Sequence, residues 1–270
     1  MSQIKTKLTG VPRTLLLPLR GRAEAQAHPD PLFQDPLSVE WLKLVGWDQE
    51  LEASDLKFGE AFTIAMAIRT IYHDQIASRH IANSSHPVVV ELGAGLSSRF
   101  HRVGQNAYRW FDLDLPVVTE LRRKLDTPTQ QHQFISASVM DFNWMDTVSE
   151  VAPENILFIA EGLLMYFDVH EVQQLIDVMH SRFPGATLDL EVLGNYAKLY
   201  SKTLTQIGAP LKWLVKNEAD LVAMGLQVVN VCPLFQLYPE CWPWQWQLIL
   251  RFLNQFPYFR NGYLMVETKL

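Results

Sequence analysis

Five residues, Val88-Val89-Val90-Glu91-Leu92, followed at once by Gly93-Ala94-Gly95-Leu96, constrain the fold of this chain more than any other stretch. β-Branched apolar residues in a run without alternation read as a parallel strand covered on both faces. Glycines directly after the run let the chain turn sharply and let a ligand approach the backbone. A buried strand ending in a glycine turn marks the first βα unit of a nucleotide-type α/β domain.

The residues around the glycines narrow the ligand. A dinucleotide fingerprint asks for a third glycine where Ser98 stands. Glu91 would also set negative charge beside a pyrophosphate. An acid at that point suits a cofactor with a cationic group and no phosphate, such as S-adenosylmethionine. A dinucleotide, or a tight turn without a ligand, are the alternatives these residues leave open.

The rest of the chain supplies the alternation such a domain needs. Strands are expected at 88–92, 108–113, 132–136, 155–160, 186–192, 226–231 and 262–268, with helices around 97–104, 116–125 and 168–183. Asp168 and Glu171 form a capping-box pattern at the start of the last helix. The pattern predicts a doubly wound, seven-stranded, mostly parallel sheet of Rossmann-like type, ending in a hairpin. Residues 1–86 read as a helical cap and 87–270 as the α/β core, all one domain. Within the cap, 61–82 has helical period, and Arg69 falls on the same apolar stripe as Phe62, Ala65, Tyr72 and Ile76.

Charge and composition exclude several classes. A net charge of −6 with no long basic run argues against nucleic acid. Two cysteines, Cys232 and Cys241, are too few for a disulfide scaffold or a zinc cluster. The histidines are scattered, so no metal is expected. No apolar run reaches the ~18 residues of a membrane span, and the first ten residues lack the apolar core of a signal peptide. A cytoplasmic protein is expected, acting on a small molecule or a peptide C-terminus without nucleic acid or membrane. Its oligomeric state is not legible.

Several residues at expected strand ends could carry chemistry. Asp112 and Asp114 close the second strand about 20 residues past the glycine turn, where an acid can accept ribose hydroxyls. Asp114, just before Leu115-Pro116, would serve equally as a helix cap. Asp141 and Phe142 follow the third strand, and Glu161 and Tyr166 the fourth, at the sheet edge where ligands gather. Arg69, buried, must find a carboxylate: a structural acid, or that of a cofactor or substrate. Arg20 and Arg22 are similar candidates. Trp242-Pro243-Trp244-Gln245-Trp246 is explained more simply by packing than by a substrate platform.

With these residues assembled, the chain resembles the leucine carboxyl methyltransferase and polyketide O-methyltransferase family of S-adenosylmethionine-dependent enzymes. The resemblance rests on Arg22-Ala23, Phe33-Gln34-Asp35-Pro36, Ile68-Arg69-Thr70 with Asp74, Glu91 to Leu96 with Arg99, Asp112 to Pro116, Met140 to Trp144 and Glu161 to Tyr166. It implies an O-methyltransferase acting on a carboxylate or hydroxyl, with S-adenosylmethionine as cofactor. By similarity, Arg69 engages the methionine carboxylate and Gly93, with Ala94 and Gly95, passes beneath it. Asp114 holds the ribose, Asp141 and Phe142 the adenine, and Glu161 lines the methionine end. Tyr166 and Arg20 or Arg22 face the substrate. The family turn continues Leu-Asp-Thr-Arg where this chain has Leu96-Ser97-Ser98-Arg99, with Ser98 free to cap the helix. An NAD(P)-dependent oxidoreductase, or a non-catalytic interaction protein on this scaffold, would be the other functions.

Overall fold

The computed structural model describes residue 4, residues 8–46 and residues 59–270; the rest of the expected cap, including its N-terminal tip, lies outside the described residues. Within them the cap contributes α1 Leu16–Ala25, α2 Pro36–Val45 and α3 Glu60–Asn83. The strands are β1 Val88–Leu92, β2 Arg109–Asp114, β3 His132–Ser136, β4 Ile156–Ala160, β5 Thr187–Leu193, β6 Gln227–Pro233 and β7 Tyr263–Lys269. Between and after them run α4 Arg99–Val103, α5 Pro116–Arg122, α6 Trp144–Val148, α7 Val169–Arg182, α8 Lys198–Gln206, α9 Glu218–Ala223, α10 Trp244–Leu253 and α11 Pro257–Arg260.

The strands form one sheet in the order β3-β2-β1-β4-β5-β7-β6, parallel except for β7. The expected final hairpin is only partly right. β6 and β7 do pair antiparallel, but residues 234–262 between them carry α10 and α11.

Both faces of the sheet are covered, and this is why its strands read as apolar runs. Val89 shares one core with Ile68, Tyr72 and Ile76 of α3, while Val88 and Val90 share another with Val172, Ile176 and Met179 of α7. The two-residue period of the strand divides its side chains between these layers. Each such buried side chain contributes about 1.5–3 kcal/mol. At the start of α7, Glu171 accepts the Asp168 backbone N–H at 2.7 Å, completing the capping box.

β1 pairs with β2 on one side and β4 on the other, so chain order reverses there. The crevice beyond the carboxyl ends of β1 and β4 is where a doubly wound sheet receives its ligand. No helix of the described residues is long and apolar enough to cross a membrane.

Candidate active site

That crevice opens into a cavity of about 1080 Å³. One wall is polar and belongs to the glycine turn. Gly93 and Gly95 adopt left-handed backbone, with φ of 66° and 54°. A Cβ on Gly93 would stand 2.7 Å from a Leu163 methyl, so a side chain there is excluded twice. The turn is tied to β2, because Gly95 N–H donates to Asp114 Oδ2 at 2.6 Å. Asp114 Oδ1 accepts the Leu115 N–H at 2.7 Å. Burial pushes the Asp114 carboxyl above the ordinary range despite these two bonds.

The structure separates the two acids of β2. Asp114, with Gly93, Ala94 and Gly95, lines the cavity; Asp112 does not. Asp112 lies two residues deeper on the same face of the strand, and α5 lays Arg122 over it at 2.7 Å. His132 Nε2 at 2.5 Å and the Trp110 indole N–H at 3.0 Å complete its shell. The expected cofactor role for Asp112 is therefore corrected to a structural one. His132 also approaches His101 and Asp126, but Arg122 lies 3.8 Å from Asp126 and none of the three lines the cavity.

Beneath the glycine turn runs a chain of buried ion pairs. Arg99 bonds Asp74 at 2.8 Å and makes very short contacts with Glu91 and Glu161. Arg102 joins Asp74 at 2.6 Å to Asp35 at 3.0 Å, and Arg22 closes on Asp35 at 3.2 Å. Ser98 Oγ donates to Asp35 across 2.7–2.8 Å, and Ser97 Oγ to Glu91 at 3.1 Å. Ser98 stands at the N-cap of α4 without a side-chain cap bond, while Ser97 Oγ accepts the Arg99 N–H at 3.3 Å. The Ser98 hydroxyl is spent on the network instead.

Arg69, on α3, reaches this network from above. It meets Glu161 Oε1 at 2.6 Å, Glu191 Oε2 at 3.5 Å and the Tyr263 hydroxyl at 3.4 Å. Its partners are acids of the chain, and it lines the cavity as well. Burial opposes ionisation of Glu161, yet Arg69 and Arg99 outweigh it and hold the carboxyl well below its usual range. Glu91 is pushed up by burial against Arg99.

Glu191 and Tyr263 were not singled out from the sequence. Tyr263 donates to Glu191 Oε2 at 2.8 Å, while Glu191 Oε1 is buried without a hydrogen-bond partner at the cavity wall. The available signal was Asp189 and Glu191 alternating inside an apolar strand, since acids in a covered strand need a purpose. Asp189 in turn meets His73 at 2.6 Å, and although burial lowers the imidazole pKa, Asp189 raises it to about 10.

The remaining candidates divide. Arg22 lines the cavity and donates to the Leu96 carbonyl at 2.6 Å; Arg20, on another face of α1, pairs with Glu24 at 2.5 Å and does not line it. Tyr166 lines the cavity, and burial raises its phenol pKa. Asp141 is exposed and accepts the Asn143 amide at 2.8 Å, while Phe142 packs against the core. Neither lines the cavity, where Ser138 and Val139 of the same segment stand instead. Trp242 is buried beside Phe235 and Trp246 lies on α10; both form the apolar wall, while Trp244 of the same cluster is exposed and does not line the cavity.

Known proteins resemble this chain. Residues 16–180 match the family described as leucine carboxyl methyltransferase. The tetracenomycin polyketide synthesis O-methyltransferase TcmP of Streptomyces glaucescens is 31% identical over 220 residues, covering 80% of this chain and 79% of that protein. The S-adenosyl-L-methionine-dependent methyltransferase dpfgK of Gibberella zeae is 24% identical over 239 residues, covering 80% of this chain and 79% of that protein. Among solved structures, a DUF574 family protein from Streptomyces avermitilis shares the fold, with a TM-score of 0.59 at 10% identity over 93% of this chain and 96% of that one. Fold, glycine turn and relatives together define an S-adenosylmethionine-dependent methyltransferase. Within that class the chain belongs to the leucine carboxyl methyltransferase family.

Proposed function

We propose that this protein transfers a methyl group to a hydroxyl oxygen of a small, largely apolar, ring-bearing molecule. The observation that carries this reading is the contrast between the two ends of the cavity. Beyond the ion pairs its wall is Trp242, Trp246, Phe235, Phe259 and Leu250, suited to apolar rings. Where the wall meets the charged end, the cavity presents carboxylates and phenols: Glu161, Glu191, Tyr166 and Tyr263. A negatively charged acceptor would meet these acids, and Arg69, the nearest cation, is already shared between Glu161 and Glu191. A neutral hydroxyl meets Glu191 Oε1, an acceptor without a donor.

The residues present fit the cofactor. Asp114, raised by burial, gains from donors such as ribose hydroxyls. The cradle at Gly93 has no room for a side chain, and Arg69 with Glu161 offers one charge of each sign for the methionine end. Bound there, S-adenosylmethionine supplies an electrophilic methyl group on a sulfonium. Glu191 would take the proton of the acceptor hydroxyl as its oxygen gains the methyl group and S-adenosylhomocysteine leaves; Tyr263 fixes Glu191, and the aromatic wall excludes water. The name of the TcmP relative, an O-methyltransferase of polyketide synthesis, supports oxygen as the acceptor atom. Two free cysteines fit a reducing compartment such as the cytoplasm.

A methyl-transfer screen against phenols, aromatic carboxylic acids and peptides with a free C-terminus tests this. Phenols should be methylated with a rate that Glu191→Gln lowers at least tenfold. Methyl esters on carboxylic acids or peptides, with phenols inert, would overturn it.

A further inference from the structure

Helix α10 is apolar nearly all round. Its inner face, Trp246, Leu250 and Leu253, lines the cavity. Its outer row, Trp244, Leu248 and Phe252 at four-residue spacing, is 68%, 61% and 59% exposed, with Ile249 and Phe256 beside it at 45% each. A helix apolar on both sides is normally covered on both. Among the described residues only the inner side has its cover.

The size of the patch indicates what it needs. At roughly 150–250 Å² for a large aromatic side chain, these exposed fractions leave on the order of 500 Å² of contiguous apolar surface. A stable interface takes about 800 Å² from each partner, of which about 60% is apolar. The patch therefore matches the apolar share of one standard interface. Its charge is equally restrictive: Arg251 is the one ionisable residue of α10. A charged partner finds nothing to pair with, and an interfacial membrane helix needs a basic polar face that α10 lacks.

We infer that the outer face of α10 is the contact between two copies of this chain, related by a two-fold axis near Leu248. An antiparallel crossing on the i, i+4 row lets the ridge Trp244-Leu248-Phe252 pack against itself. It sets Arg251 against Gln245 of the partner subunit and keeps the two arginines apart. Because the inner face of the same helix walls the cavity, the contact fixes one side of each copy's site. The inference rests on the surface of α10 and not on the acceptor proposed above.

Sedimentation equilibrium of the full chain at 1–50 µM tests it. The expected mass is twice the 31.0 kDa of one chain. Leu248→Arg should sediment as one chain while keeping its far-UV spectrum and its affinity for S-adenosylhomocysteine within twofold. Leu199→Arg, at an exposed leucine on α8, should remain paired. Should Leu248→Arg fail to fold, Leu248→Cys with a short bismaleimide should give a covalent dimer that Leu199→Cys does not. A wild-type protein monomeric at 50 µM, a dimer that Leu248→Arg leaves intact, or a Leu248→Cys protein that does not cross-link, would overturn the inference. So would a monomer that co-sediments with phosphatidylcholine–phosphatidylglycerol vesicles through this face.

Discussion

The two walls of the cavity are built by opposite means. The cofactor wall is ionic and assembled from distant pieces: Arg22 and Asp35 from the cap, Arg69 and Asp74 from α3, Glu91 from β1, Arg99 from α4 and Glu161 after β4. The acceptor wall is apolar and drawn largely from residues 235–259, between β6 and β7. A buried ion network demands that every partner be present, since one lost charge strands the others in low dielectric. An apolar wall tolerates exchange of one side chain for another of similar volume. This chain thus holds its cofactor end by mutual dependence and leaves its acceptor end free to vary. The family match, which stops at residue 180, covers the first wall and leaves out the second.

The contrast is broken most severely at Arg99, which alone contacts Asp74, Glu91 and Glu161. Arg99→Ala leaves three buried carboxylates without their shared cation and should cost about 3–5 kcal/mol of stability. Urea denaturation measures it; a loss under 1 kcal/mol would mean that the network contributes little to holding the wall.

Arg69→Lys comes next. Lysine keeps the charge but cannot span Glu161 and Glu191 with a planar fork. Affinity for S-adenosylhomocysteine by calorimetry should fall tenfold or more, with most turnover lost. A variant that melts lower yet binds as the wild type would make the role of Arg69 purely structural. Asp114→Ala should weaken the same binding by roughly 1–3 kcal/mol. Asp112→Asn, behind Arg122, should lower stability instead and leave affinity unchanged.

The fold was legible because sheet strands covered on both faces leave a continuous apolar record, and all seven strands fall within two residues of their expected bounds. Gly93, Asp114, Glu161 and Tyr166 were singled out because strand ends carry the chemistry of such sheets, and Arg69 because it falls on the apolar stripe of α3; all five line the cavity. What failed was depth and direction. Asp112 and Asp114 share one face of β2, and only the position of Arg122 decides which is covered. Arg20 and Arg22 lie two residues apart on opposite sides of α1, and the packing of that helix decides between them. Glu191 pairs with residues far away in the chain, Arg69 and Tyr263, beyond the reach of any local pattern.

His73 gives the cofactor side a pH signature. Its pKa is raised to about 10 by Asp189, against burial. A raised folded pKa contributes stability fully present below the unfolded value near 6.5, which is lost as pH rises through about 10. The melting temperature should fall between pH 7 and pH 10, and His73→Gln should flatten that fall. Glu161 works in the other direction. Its depressed pKa contributes stability above the unfolded value near 4.3 that is lost as pH drops toward its folded value. An alkaline limb that His73→Gln leaves unchanged would show that His73 is not charged in the folded protein.

The smallest effect is expected on the acceptor wall. Trp246 is 38% exposed and lines the cavity from α10. Trp246→Ala removes apolar contact area from the acceptor and leaves no buried charge unpaired. The loss should resemble that of a partly buried aromatic contact, about 1–2 kcal/mol in acceptor binding. It should therefore read as a roughly fivefold to thirtyfold rise in acceptor KM with S-adenosylhomocysteine affinity unchanged. Trp246→Phe, which keeps most of the area, should recover most of the loss. If Trp246→Ala instead weakened cofactor binding as much as Asp114→Ala, the two walls would be one coupled structure and the division between them would not hold.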